Sequence, residues 1–415
     1  MWITLLTALL LSVSSQDLLV RNASVLDPDG DGWRHEMDVF VEDGRILAIG
    51  SELQDRDAVI IEAEGLWLVP GLIDLHSHLL LHPYNETSWN DQVLKESLEL
   101  RTVRGVAAMK ATLEAGFTTL RELGTEGAAY ADVALRDSVR LGIVPGPRVL
   151  AATRALVATG CYGPSGFDPR WELPKGAQVA DGVDGVRIAV RQQIAAGADW
   201  IKVYADYRRK PGDPSTPTYS LAELVAIVDE ARSAGLPVAA HASTDEAMQR
   251  AVIAGCKTIE HGTHGSLATL RLMKREGVVL CPTLAAADAI ARYTGWDGED
   301  PNHPRIKDSR DLMKRALEAG VTITCGSDVG VFPHGDNALE LELMAQYGMS
   351  PAEVLRSATR TAAEVIGMGD RLGRVAPGFI ADLVLLRADP LIDASATRRV
   401  AVVVQAGRVV HERKP

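Results

Sequence analysis

The stretch "ADWIKVYAD" (residues 198–206) decides how this chain is read. Its apolar, β-branched and aromatic residues are those of a buried strand. Strand side chains alternate, so Trp200, Lys202 and Tyr204 share one face while Ile201 and Val203 share the other. A lysine is almost never fully buried unless it is paired. The partner of Lys202 must therefore come from elsewhere in the chain.

The same texture recurs on both sides of this strand. Apolar runs stand at 71–78, 117–123, 148–155, 199–205, 237–242, 258–262, 278–284 and 321–328. Amphipathic segments such as "SLAELVAIVDEARSAG" and "DSRDLMKRALEAG" separate most of them, each closing on the glycine that a helix C-cap favours. Strands alternating with helices in this way predict an α/β chain built as a (β/α)₈ TIM barrel over residues 69–370. Residues 17–68 and 371–415 instead show short apolar runs broken by turn signals, Asp43-Gly44 and Ala406-Gly407 among them. Neither end makes a sheet domain alone, so together they predict one small β-sandwich built from both termini. The stretches 79–100, 156–185 and 206–219 are long loops that follow strands, the side on which such barrels carry their chemistry.

The chain has 415 residues, and its formal net charge of −12 (43 basic, 55 acidic) argues against a nucleic-acid partner. No basic amphipathic segment points to a membrane surface. A small-molecule substrate fits this composition, and a homo-oligomer is compatible with it. Residues 1–16, "MWITLLTALLLSVSSQ", read as a signal peptide cleaved near Ser15–Gln16, which predicts a secreted or periplasmic protein. Cys161, Cys256, Cys281 and Cys325 lie far apart and read as buried free thiols.

His76 and His78 close the first run as an H-x-H pair whose side chains project from one face. Lys202, His241, His261 and Asp328 end the fourth, fifth, sixth and eighth runs. Four of the chain's ten histidines thus sit at strand ends, and the constellation reads as a metal site. Ligands of nitrogen and oxygen without cysteine suit Zn²⁺, with Mn²⁺ or Co²⁺ as substitutes.

The motifs "PGLIDLHSH", "IKVYAD", "AAHA", "IEHG" and "GSD", in this order, resemble those of the amidohydrolase superfamily of metal-dependent hydrolases, from Asp17 to about His411. The resemblance implies two divalent metal ions, one bound by His76 and His78 and the other by His241 and His261. It implies that Lys202, carboxylated on its amine, bridges the two and that Asp328 ligates the first. Burial disfavours the ammonium form, and a neutral amine can take up CO₂ to give an anionic two-oxygen ligand. On this resemblance Asp328 is also the catalytic proton shuttle and Tyr204 a donor to the substrate or its oxyanion. His334, in "VFPHGDNALELELM", and His264 are further candidates at the substrate site.

"GFTTLRELG", "EHG" and "SDVGVFPHG" look most like the branch of Xaa-Pro dipeptidase-like enzymes, carboxypeptidase-like amidases and ochratoxinases. The implied substrates are N-acyl-L-amino acids or dipeptides, including aroyl-phenylalanine amides. Prolidase-like relatives carry Gly-Gly-His where this chain has "ATGCYGPSG", so a prolidase stands as an alternative, beside a cyclic amide or lactone hydrolase and a non-catalytic binding barrel. Tyr84, Trp89, Tyr162, Phe167 and Trp171, on the first and second long loops, are expected to line an aromatic acyl pocket. Arg208, Arg209 and Lys210 leave strand four beside Lys202, and Arg208 or Arg209, with Tyr204, is expected to hold the substrate α-carboxylate.

Overall fold

The computed structural model describes residues 17–28, 32–54, 56–168, 170–210 and 212–413. The segment 1–16, expected to direct export, lies outside the described residues. The chain opens with β1 (Leu18–Leu26), β2 (Trp33–Glu42), β3 (Arg45–Gly50), β4 (Val59–Glu62) and β5 (Trp67–Pro70). The next strands are β6 (Leu72–Ser77), β7 (Phe117–Glu122), β8 (Arg148–Ala151), β9 (Leu156–Val157), β10 (Gln178–Val179) and β11 (Ile201–Tyr204). After them come a short hairpin, β12 (Asp206–Tyr207) and β13 (Thr216–Pro217), then β14 (Val238–Ala242), β15 (Thr258–His261) and β16 (Val279–Cys281). The chain ends with β17 (Leu383–Leu386), β18 (Val400–Gln405) and β19 (Arg408–Glu412).

The terminal strands join as expected, but hydrogen bonding links them into one eight-stranded sheet instead of the two layers of a sandwich. Its order is β19-β18-β17-β5-β1-β2-β3, with β4 also paired to β1. One strand, β1, supports two parallel partners: β4 pairs with its first half and β5 with its second. Asp43-Gly44 and Ala406-Gly407 all take positive φ, as a tight hairpin between twisted strands requires. A Cβ on Gly44 would meet Ala406 O at 2.8 Å, so the N-terminal turn also touches the C-terminal one.

The two faces of β17 show how this sheet is attached to the rest. Leu383 and Leu385 pack with Val20, Val41 and Val402 inside the terminal domain. Val384 and Leu386 pack with Phe117 and Leu113 in the larger core. Each buried aliphatic side chain of this kind contributes about 1.5–3 kcal/mol, so alternation alone fastens the sheet to its neighbour.

The middle of the chain is an α/β barrel-like domain of parallel strands and helices. β6, β7 and β8 form one parallel sheet, and β10-β9-β11-β14-β15-β16 form another. The expected eighth strand, 321–328, is not a regular strand but a bridge between them. Ile323 pairs with Leu280 and Val329 with Ser77, both parallel. Its irregularity has a local cause, because Asp328 at φ 62° and Gly330 at φ 112° cannot sit in extended backbone. The third run likewise leaves strand geometry at Thr153, φ 60°. The expected helices form at Leu221–Ser233, opened by a reciprocal Ser220–Glu223 capping box, and at Pro304–Ala319, closed by Gly320 at φ 64°. All four cysteines are free and buried. Among the described residues no helix is long and apolar enough to cross a membrane.

Candidate metal centre

The parallel registers bring the candidate ligands to one end of the strands. Lys202 and Tyr204 on β11 stand opposite Ala239 and His241 on β14, and Ala242 stands opposite His261 on β15. The His76 ring centroid lies 5.3 Å from His78 and 5.2 Å from His261, and His241 lies 4.5 Å from His261. Asp328 Oδ1 is 3.6 Å from His76 Nε2 and 3.3 Å from His78 Nε2. Four imidazoles, a carboxylate and a lysine thus share one small, largely buried patch.

Three of the four imidazoles are aimed by a hydrogen bond, and His241 has a carboxylate nearby. His76 Nδ1 donates to Glu260 Oε2 at 2.8 Å, and Arg121 Nη2 donates to Glu260 Oε1 at 2.8 Å. His78 Nδ1 donates to Gly124 O at 2.9 Å, and His261 Nδ1 pairs with Thr283 Oγ1 at 2.7 Å. Asp206 Oδ1 lies 3.5 Å from His241 Nε2, while its Oδ2 accepts from Ser243 N and Thr244 N. Such outer partners fix the ring tautomer and leave the other nitrogen for a cation.

Asp328 is held just as firmly. Asp74, fully buried on β6, accepts from Ser327 N at 3.0 Å, Ser327 Oγ at 2.5 Å and Asn337 Nδ2 at 2.7 Å. Gly326 packs so tightly that an added Cβ would meet Cys281 Sγ at 2.2 Å and His76 Cβ at 2.9 Å. His261 and Asp328 both occupy left-handed backbone, at φ 70° and 62°. Such strain costs about 1–3 kcal/mol per residue and persists where the surroundings over-determine it, as at functional sites.

The electrostatics suit cations. Lys202 is 1% exposed, and its Nζ has no hydrogen-bond partner among the described residues. Burial pushes its ammonium form below the usual lysine range, toward the neutral amine. Burial and the Lys202 charge push His76 down to about 4, and burial pushes His261 down to about 3. His78 differs: burial lowers it, but Asp328 and Glu126 outweigh burial and hold it up at about 9. Asp328 stays ionised because His76 and His78 overcome its burial. A neutral, unpartnered amine among imidazole lone pairs and one carboxylate is a donor set that fits divalent ions.

The ligand atoms of His76, His78 and Asp328 lie within 4.8 Å of one another. His76, Glu260 and Cys281 meet the same distance. Glu260 is already engaged by Arg121, however, and burial raises the Cys281 thiol well above its usual range, so that grouping reads as support for the first.

A cavity of about 410 Å³ opens above the histidines. Tyr204, Arg208 and His264 line it, as expected, and the Tyr204 ring stacks on His241 at 4.6 Å. One expectation fails. His334 does not line the cavity; its Nε2 donates to Leu81 O at 3.1 Å, behind the loop after β6. Arg209 lines a neighbouring cavity with Trp89 and Tyr162. Among the loop aromatics, Phe167 and Trp171 face each other at 6.2 Å and remain 41% and 61% exposed, so they line neither cavity. Arg305, from the start of helix Pro304–Ala319, joins the lining unforeseen.

Arg121, Glu126 and Glu260 were also missed. Arg121 and Glu260 carried the same signal as Lys202, a charge inside an apolar strand run, and Arg121 lies over the Trp200 ring at 4.3 Å.

The Amidohydrolase family profile matches residues 67–410, which hold every candidate ligand. Ochratoxinase from Aspergillus niger is 29% identical over 412 residues, covering 92% of this chain and 84% of its own. Its crystal structure superposes with a TM-score of 0.80 at 25% identity, covering 96% of each chain. A prolidase solved with N-methylphosphonate-L-proline gives a TM-score of 0.84 at 33% identity, covering 96% of this chain and 100% of that one. A Xaa-Pro dipeptidase with bound methionine gives 0.85 at 28% identity, over 96% and 100%. With the family match spanning the parallel strands and their ligand-bearing ends, this chain belongs to the amidohydrolase family.

Proposed function

We propose that this protein is a binuclear metal-dependent amidase that hydrolyses N-acyl-L-amino acids or dipeptides. The observation that carries the reading is Lys202: a buried amine with no hydrogen-bond partner among the described residues, set among four imidazoles and a carboxylate. Carboxylated, it would hold two divalent cations, Zn²⁺ by preference, together with His76, His78, His241, His261 and Asp328. When bound, those ions would acidify a water and polarise the scissile carbonyl.

The protein's own groups supply the rest. Asp328, held ionised over the working pH range, accepts a proton at its carboxylate and returns it to the departing nitrogen. Tyr204, stacked on His241 at the cavity wall, orients the substrate. Arg208 offers a guanidinium to a substrate carboxylate. The eight strand segments close into a (β/α)₈ barrel, with residues 69–370 as the barrel and 17–68 with 371–415 as the sheet domain. The protein is exported after removal of residues 1–16.

Similarity to ochratoxinase and to prolidase supports cleavage of an amide beside an amino acid. A Xaa-Pro dipeptidase is the second reading, favoured by the prolidase-like structures. A panel of N-acyl-L-amino acids, Xaa-Pro dipeptides, cyclic amides and lactones decides between them. Hydrolysis of acyl amino acids, lost on chelation and restored by Zn²⁺, is the expected result. A metal-loaded protein inert toward every amide would overturn the proposal.

A further inference from the structure

Beside the cavity above the histidines lies a second one of about 350 Å³, where the loops after β6, β9 and β11 meet. The two cavities share Tyr84, Tyr162, Tyr207 and Arg208 as a common wall. The chemistry of the side cavity is one-sided. Arg208, Arg209 and Lys210 line it and, among the described residues, no acidic side chain does, in a chain of net charge −12. The main cavity is balanced by comparison: apart from the candidate ligands, Arg208 and Arg305 face Asp213 and Asp308.

Two polar ends of the aromatic wall, those of Trp89 and Tyr162, are already used. Trp89 Nε1 donates to Glu126 Oε2 at 2.8 Å, and Tyr162 Oη donates to the same oxygen. Glu126, 1% exposed, fixes both rings from behind. Asn90 Nδ2 donates to Ser165 O at 3.1 Å, and Ser88 Oγ caps a helix by accepting from Asp91 N at 3.2 Å. What the wall offers a ligand is ring faces, with Tyr162 packed 5.1 Å from Trp89 and 5.0 Å from Tyr207. The charged donors left over are Arg208, Arg209 and Lys210. The Arg208 guanidinium lies 5.1 Å from the Tyr207 ring centroid, and none of the three cations has an ion pair or side-chain hydrogen bond among the described residues. Ring faces select a flat apolar group, and unpaired guanidinium groups select a carboxylate.

We propose that the side cavity holds the amino-acid half of the substrate, its ring on the Trp89–Tyr162–Tyr207 wall and its α-carboxylate on Arg208 and Arg209. The enzyme then selects acyl derivatives of aromatic L-amino acids. This inference rests on the amidase reading, which puts the scissile bond at the histidine cavity. It reverses the expectation that the loop aromatics serve the acyl half. Wall and cationic loop form a single cavity, so ring and carboxylate belong to one half of the substrate. Addition of water across the C–N bond leaves the amino acid in the side cavity and the acyl acid above the histidines.

The test compares N-acetyl-L-phenylalanine, N-acetyl-L-alanine, N-benzoyl-L-alanine and N-acetyl-L-phenylalaninamide, together with calorimetric binding of free L-phenylalanine to the metal-loaded protein. The first substrate should exceed each of the others by at least about tenfold in kcat/KM. Arg209→Ala should shrink the acid-to-amide ratio and weaken L-phenylalanine binding by a similar factor, and Arg209→Gln serves if the alanine variant misfolds. Faster cleavage of N-benzoyl-L-alanine than of N-acetyl-L-phenylalanine, or equal binding of L-phenylalanine and L-alanine, would overturn the proposal. If no acyl amino acid is cleaved but L-phenylalanine binds with this pattern, the amidase reading falls and the side cavity's selectivity stands.

Discussion

On the cavity floor, His76, His78, Lys202, His241 and His261 sit on strands or at their ends, where parallel hydrogen bonding fixes their spacing. At the rim, Glu126, Tyr162 and Arg209 sit on loops and Trp89 opens a short helix, Trp89–Lys95, and they meet only through tertiary contact. The floor is rigid by construction: His76, His78 and His261 each have a hydrogen-bond partner behind the ring, and Asp74 ties the Asp328 segment to β6. The rim depends on one buried carboxylate, Glu126, to hold two aromatic rings. The proposed function therefore assigns chemistry to the floor and choice of substrate to the rim.

The sharpest way to break this division is Asp328→Asn. It keeps the side-chain volume but removes the proton acceptor, so kcat should fall by about 10²–10⁴-fold while the thermal midpoint stays close to wild type. A variant that keeps wild-type kcat would move the base off the floor. Glu126→Gln probes the rim. Loss of one charge-assisted hydrogen bond, about 1.5 kcal/mol, should raise KM by about tenfold and lower kcat less. A fall in kcat with KM unchanged would place Glu126 with the chemistry instead.

A smaller effect is expected behind the floor, at Glu340. Burial raises its carboxyl to about 8, and it accepts from Ala285 N at 2.7 Å. The folded state holds this proton more tightly than the unfolded chain does. Its contribution to stability is therefore full at low pH and is lost as pH climbs from the usual carboxylate range through about 8. Glu340→Gln should raise the thermal midpoint by about 2–4 °C at about pH 9 and change it little at about pH 4. An equal shift at both values would exclude titration as the cause.

The same division explains what could be read from the sequence. Lys202, His76 and His78 were legible because a strand repeats every two residues and a buried charge within it stands out. Asp328 was legible by position, yet the irregular backbone around it was not, since its left-handed φ follows from packing against His76 and Cys281. Glu126 had no local signal: its partners Trp89 and Tyr162 lie 37 and 36 residues away. His334 misled for the converse reason, because proximity to Asp328 in sequence does not fix which way a loop histidine turns. The split sheet domain was readable from matching textures at the two termini. Its joining into one sheet depends on β5 pairing with both β1 and β17, which no periodicity announces.

The central claim is that Lys202 is a carboxylated bridge between two cations, and metal analysis combined with native mass spectrometry tests it most directly. Wild-type protein prepared with bicarbonate should carry about two divalent ions per chain and the added mass of one CO₂. Lys202→Ala should lose that mass and at least one ion, and a short carboxylic acid with added metal should restore part of its activity. Two tightly held ions and full activity in Lys202→Ala, or a wild-type protein without the added mass, would contradict the account.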